Sequence, residues 1–177
     1  MSLVGFKARN HPQQLRIRGA HDGVDDRCTP DILWQAWNEE FGFTLDAASS
    51  HTNAKCEAHF TIDDDGLAQS WAGQRVWVNP PFSDCAGWVQ KAWYEVTEGG
   101  CPLVVMLLPA NRTEQGWWQE MVEPFRDRPG SVLSTRFIAR RINFATSGNP
   151  GAKYASSAPF GCVLLIFDHE RERRGEG

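Results

Sequence analysis

The chain has 177 residues, 41% of them hydrophobic and 23% charged, with eight tryptophans and a formal net charge of −4. That length suits one domain with a real core rather than two, and the composition excludes a disordered chain. The negative balance excludes attraction of nucleic acid over the whole surface, so a polyanion partner must meet a local patch.

Residues 1–28 mix charges with Gly and Pro and read as a flexible N-terminal arm, its Lys7, Arg9, Arg16 and Arg18 solvated. The domain proper is expected over residues 29–168 and opens on CTPDILWQAWNEEFG. Here Thr29 is placed to cap a helix, Pro30 suits its first position and Asp31 favours its positive end. Ile32, Leu33, Ala36 and Trp37 form an apolar stripe, and Gly42 ends the helix. FTLDAASS reads as a short strand with Asp46 at its carboxyl edge, and RVWVN as the next strand. SDCAGWVQKAWYEV repeats Trp88, Val89, Ala92, Trp93 and Val96 at helical spacing. CPLVVMLLP and FGCVLLIF are too continuously apolar for strands with one wet face and are expected to be covered on both sides. TEQGWWQEMV reads as a short helix capped by Thr113, VLSTRFI and INFA as strands, and residues 169–177 as a charged tail fraying into solvent. This alternation predicts an α/β fold with a mostly parallel sheet and helices on both faces.

In such a sheet ligands sit outside the carboxyl ends of the strands, where both Asp46 and Asn79 fall. Asn79 opens the run Asn79, Pro80, Pro81, Phe82. Each proline fixes its own φ and pushes the residue before it to extended backbone, so Asn79 and Pro80 are held open and stiff. The Asn79 side-chain oxygen and the Pro80 carbonyl then offer two acceptors on a rigid frame, with the Phe82 ring beside them. Two acceptors fit an NH2 group on a planar heterocycle. The nitrogen of such an amine is a poor nucleophile, because its lone pair is delocalised into the ring. Accepting both hydrogens draws it toward tetrahedral geometry and stabilises the developing charge. Phe82 is expected to stack on a base that has left the duplex.

With its flanking segments, in order "TP" opening a helix, FGFTLDAAS, NAKC, DGL before a Trp, VWVNPPFS, LLPANRTEQGWW and SAPFGCVLLIF, the chain resembles the phage-type DNA N-6-adenine methyltransferases. These are S-adenosylmethionine-dependent amino-methyltransferases whose catalytic tetrapeptide is Asp/Asn/Ser-Pro-Pro-Tyr/Phe/Trp. The resemblance covers roughly residues 29–167 and implies a Rossmann-like methyltransferase fold. It implies transfer of a methyl group from S-adenosylmethionine to the exocyclic amine of adenine in DNA, with Asn79, Pro80, Pro81 and Phe82 catalytic. By the same resemblance Thr29 and Pro30 approach the methionine part of the cofactor, Asp46, Ala47 and Ala48 form the first cofactor loop, and Asp65, Gly66 and Leu67 reach its adenine. Two features depart from the broad pattern. LDAASSHTNAKC holds no glycine, so close approach to the cofactor falls to Ala47, Ala48 and Ser49; and the interval from Asp46 to Asn79 is short, which implies a trimmed sheet.

A DNA patch is expected in residues 112–153, which hold seven basic and four acidic side chains. Its candidates are Arg112, Arg136, Arg140, Arg141 and Lys153, against the reading of a merely solvated face. For Asp46 the rival role is capping the turn after its strand. Five cysteines without a zinc spacing, and an odd number of them, argue for reduced thiols in the cytoplasm. No metal is expected at His51, His59 and Cys56, and no apolar run reaches membrane-span length. Two other functions stay open: methylation of a protein glutamine or an RNA base, and a DNA-binding module without turnover.

Overall fold

The computed structural model describes residues 27–146 and 160–174. Six strands form the main sheet: β2 (Leu45–Asp46), β3 (Ala58–His59), β4 (Arg75–Val78), β5 (Leu103–Pro109), β6 (Leu133–Phe137) and β8 (Cys162–Asp168). Their order is β3-β2-β4-β5-β8-β6. A separate two-stranded ladder pairs β1 (Arg27–Cys28) with β7 (Ala145–Thr146). The helices are α1 (Asp31–Phe41), α2 (Cys85–Thr97, entered through a 3-10 turn at Phe82–Asp84), α3 (Gly116–Met121) and α4 (His169–Arg174).

The sheet is mixed. β2 pairs with β3 and β4, and β4 with β5, in parallel, but β8 runs antiparallel to both its neighbours, β5 and β6. The expectation of a mostly parallel sheet is therefore met only in the first half of the strand order. The two long apolar strands, β5 and β8, meet as an antiparallel pair.

Two-sided burial follows from strand alternation. Val104, Met106 and Leu108 of β5 face a core shared with Val89, Ala92 and Val96 of α2 and Trp118 of α3. Leu103, Val105 and Leu107 face the opposite core, which holds Trp37 and Phe41 of α1 with Phe43 and Trp77. Helices thus cover both faces.

Several local expectations are corrected. Pro30, not Thr29, is the cap residue of α1, and its carbonyl accepts from the amides of Leu33 and Trp34. The buried stripe of α1 is rotated: Trp37 and Phe41 are buried while Ile32 is 78% exposed, because the ring-rich side packs on Phe43 and Trp77. Gly42 does stop the helix, at φ 63°. α3 starts later than expected, with Gln115 rather than Thr113 as its cap residue. Ile142 and Phe144 of INFA are buried outside any ladder, and only Ala145 with Thr146 is paired. Residues 169–174 form α4 instead of fraying, and Arg171 donates to the carbonyl of Leu133 at 2.8 Å. No helix among the described residues is long and apolar enough to cross a membrane.

Candidate active site

Because β2, β3, β4 and β5 are parallel, their carboxyl ends open at one edge. β6 points the same way, being antiparallel to β8, which is itself antiparallel to β5. At this edge lies a cleft of about 710 Å³, bordered by Thr29, Asp46, Ala47, Ala48, Asp65, Gly66, Asn79 and Pro81 among others. Four predicted segments, far apart in sequence, therefore meet in one place. Pro30, Leu67, Pro80 and Phe82 are not among its walls.

Asp46 ends β2 and is 2% exposed. One carboxylate oxygen accepts from the Ala48 amide at 3.3 Å and the other from the Lys55 amide at 2.9 Å. Burial pushes its pKa up to about 6, against the opposing pull of those two amides. The turn-holding role weighed against cofactor contact is thus real, and Asp46 fills it while bordering the cleft. The next turns are pinned by Ala47 N–H to the Trp77 carbonyl and Ser49 N–H to the Phe60 carbonyl, both at 3.0 Å.

Opposite this loop, Asp64 accepts from the amide and hydroxyl of Thr61, and these hydrogen bonds hold its carboxyl below the ordinary range. The chain then turns through Asp65 at φ 52° into Gly66. A Cβ on Gly66 would lie 2.2 Å from the Ala47 carbonyl oxygen, so only glycine fits. Trp71, fully buried, donates its indole N–H to the Gly66 carbonyl at 3.0 Å. The two loops expected to hold a cofactor are thus in backbone contact.

Asn79 follows β4, with its side-chain oxygen buried. Pro80 is buried and is not among the residues that border the cleft. Phe82 is likewise not among them: it is 4% exposed, with ring centroids 6.3 Å from Phe144 and 5.9 Å from Phe160, both edge-on. Its ring anchors the tetrapeptide from within the core. Behind it Asp84 caps α2 by accepting from the Gly87 amide at 3.2 Å.

Thr29, released from helix capping, is 2% exposed, and its hydroxyl has no hydrogen-bond partner among the described residues. Residues that sequence reasoning missed also border the cleft: Lys55, Phe60, Ile62 and Ser83. Lys55 lies in NAKC and Ser83 directly follows the tetrapeptide, so their motifs were visible while their facing was not.

The arginines divide. Arg136 makes a two-pronged contact with Glu40 at 2.6 Å and lies 5.4 Å from the Phe41 ring centroid, and these hydrogen bonds hold the Glu40 carboxyl below its ordinary range. Arg112 follows β5, and the exposed Arg140 and Arg141 follow β6, at the edge where the cleft opens. Lys153 lies outside the described residues. His51 and His59 contact each other at 3.1 Å. Burial pushes the Cys56 thiol up to about 12, which keeps it protonated.

A cleft at the carboxyl edge of an α/β sheet, walled by a buried carboxylate loop and a proline-stiffened amide, lies where open α/β sheets take their ligands. A family model described as DNA N-6-adenine-methyltransferase (Dam) matches residues 20–176, and the chain belongs to that family. By family it is an enzyme that methylates adenine in DNA, and the glutamine, RNA and non-catalytic readings are not favoured. It is 35% identical over 79 residues to a putative methyltransferase, YfdM, of Escherichia coli (strain K12), covering 39% of this chain and 87% of that one. It is 30% identical over 104 residues to a DNA N-6-adenine-methyltransferase of Escherichia phage T1, covering 52% of this chain and 42% of the phage protein. The match thus spans less than half of the phage protein's length.

Proposed function

We propose that this chain transfers a methyl group from S-adenosylmethionine to the exocyclic amine of adenine in DNA within the cleft between Asp46 and Asn79. The observation that carries the reading is the convergence of Thr29, Asp46, Asp65 with Gly66, and Asn79 on one cleft. The five strands of common direction, with β8 alone reversed, support a Rossmann-like methyltransferase arrangement. Residues 29–168 would form the catalytic domain, and the cytoplasm, where DNA is accessible, is its place.

The cleft suits this cofactor on one count independent of family: the buried Thr29 hydroxyl lacks a partner among the described residues, and Thr29 borders the space. When bound, S-adenosylmethionine supplies an electrophilic methyl group on a sulfonium. Thr29 would hold its methionine end, with Pro30 shaping the approach from behind. Asp46 keeps Ala47 and Ala48 in place, and Asp65 offers an exposed carboxylate on the opposite wall as an acceptor for ribose or adenine, with Leu67 packed beneath.

Asn79 presents its side-chain oxygen to an amine hydrogen, drawing the nitrogen lone pair out of conjugation and stabilising the charge that develops there. Pro80 and Pro81 keep that oxygen from relaxing away, and Phe82 fixes both prolines by its anchorage between Phe144 and Phe160. The base reaches this point only outside the duplex. Arg112, Arg140, Arg141 and Lys153 would meet DNA phosphates around the opening, while Arg136 stays with Glu40.

The test is Asn79→Ala, assayed by transfer of labelled methyl groups to adenine-containing DNA and by calorimetry with the cofactor. Loss of one preorganised acceptor should lower turnover about 100-fold or more and leave cofactor affinity nearly intact. Full activity in this variant would refute the assignment.

A further inference from the structure

We propose that Lys55 is the carboxylate-binding residue of the methyl-donor site, its ammonium meeting the amino-acid carboxylate of the donor beside the Thr29 hydroxyl. This rests on the reading of the cleft as an S-adenosylmethionine site.

Among the described residues, Lys55 is the one lysine or arginine that borders the cleft, whose other charged side chains are Asp46 and Asp65. A donor carrying a free carboxylate entering a space with two acids needs a cation to receive it. The Lys55 side chain is 13% exposed, so its charge is poorly screened by water. Its ammonium contacts the Asp31 carboxylate, which is 79% exposed and well hydrated. An ammonium has three donors, so that contact leaves two for another acceptor. Thr29, two residues before Asp31, borders the same cleft, and its hydroxyl is unpartnered among the described residues. α1 itself carries no side-chain cap, so its first turn adds positive dipole on this side. Through its backbone amide Lys55 also reaches Asp46 at 2.9 Å, so the residue that would receive the carboxylate also fixes the loop after β2.

A pinning role alone, joining α1 to that loop through Asp31 and Asp46, is the competing explanation. The two are separated by a donor that differs only at the carboxylate. Calorimetry should compare S-adenosylmethionine with its decarboxylated analogue on the wild-type chain, on Lys55→Met and on Asp31→Asn. The wild type should prefer S-adenosylmethionine. Lys55→Met should weaken S-adenosylmethionine by about tenfold or more, the range of a charge-assisted hydrogen bond, and leave the analogue almost unchanged. Asp31→Asn, which removes the competing acid, should not weaken S-adenosylmethionine. Equal weakening of both donors by Lys55→Met would overturn the assignment and leave the pinning role, as would equal affinity of the wild type for both. A wild type that binds neither would instead remove the cofactor reading beneath it.

Discussion

Across β3, β2, β4 and β5 the ladders are two, two and four residue pairs long, whereas β5 with β8 and β8 with β6 run for seven and five. The short parallel side supplies Asp46 and Asn79, and the loop after β3 supplies Asp65. The long antiparallel side supplies fully buried residues such as Leu107, Leu164 and Leu165. Regular hydrogen bonding and the proposed site are thus concentrated in different places: one side is held by its ladder, the other by side-chain contacts such as Asp46 to the Ala48 and Lys55 amides. A change on the long side should cost stability, and a change on the short side should show in function or pH response.

The largest expected effect is on the long side. Leu165 is fully buried in β8, and Leu165→Ala should lower unfolding free energy by about 2–5 kcal/mol through lost burial and a cavity. Denaturant titration measures this. Cofactor affinity below the transition should hold, and a matching loss of affinity would merge the two halves into one unit.

On the short side, Asp46 should impose a pH dependence. Its folded pKa of about 6 exceeds the ordinary 3.8, because burial disfavours the charged form. Between those values the folded chain keeps a proton that the unfolded chain has released. The associated stability is full below pH 3.8, declines as pH rises through about 6, and totals on the order of 3 kcal/mol. Unfolding of the wild type and of Asp46→Asn, compared across this window, should show the wild type losing stability relative to the variant as pH rises. A flat difference would place the carboxylate in a polar setting.

The smallest effect belongs to the exposed edge of the long side. Arg136 and Glu40 side chains are 44% and 45% exposed, so Arg136→Ala should cost less than about 1 kcal/mol. It should leave the salt dependence of DNA binding unchanged. A shallower salt slope would mean that Arg136 leaves Glu40 for phosphate, bringing the far edge into the site.

What the sequence made legible follows the same division. The apolar runs of β5 and β8 and the periodic face of α2 announce themselves because many residues repeat one signal. β2 and β3, two residues each, carry no period, so β3 was not foreseen. The reversal of β8 was hidden because a two-sided apolar strand reads alike in either direction. In the site, Asp46 and Asn79 were legible from their positions after apolar runs. Lys55 was not, because its burial depends on Asp31 and Asp46 meeting it across the fold. Thr29 and Phe82 were found as residues but given the wrong contacts, since both a helix start and an aromatic ring have more than one stable environment.

The carbonyl of Ala47 occupies the volume that any side chain at Gly66 would need. A compact nucleoside pocket usually gains intimacy by thinning its first loop to bare backbone; in the cleft proposed here for the methyl donor the opposite wall is thinned instead. That leaves the first loop at liberty to keep Cβ atoms and a lysine. Sequence surveys that seek the bare turn directly after the leading strand would pass over such a pocket, whereas a lone glycine farther along, facing that loop, would mark it.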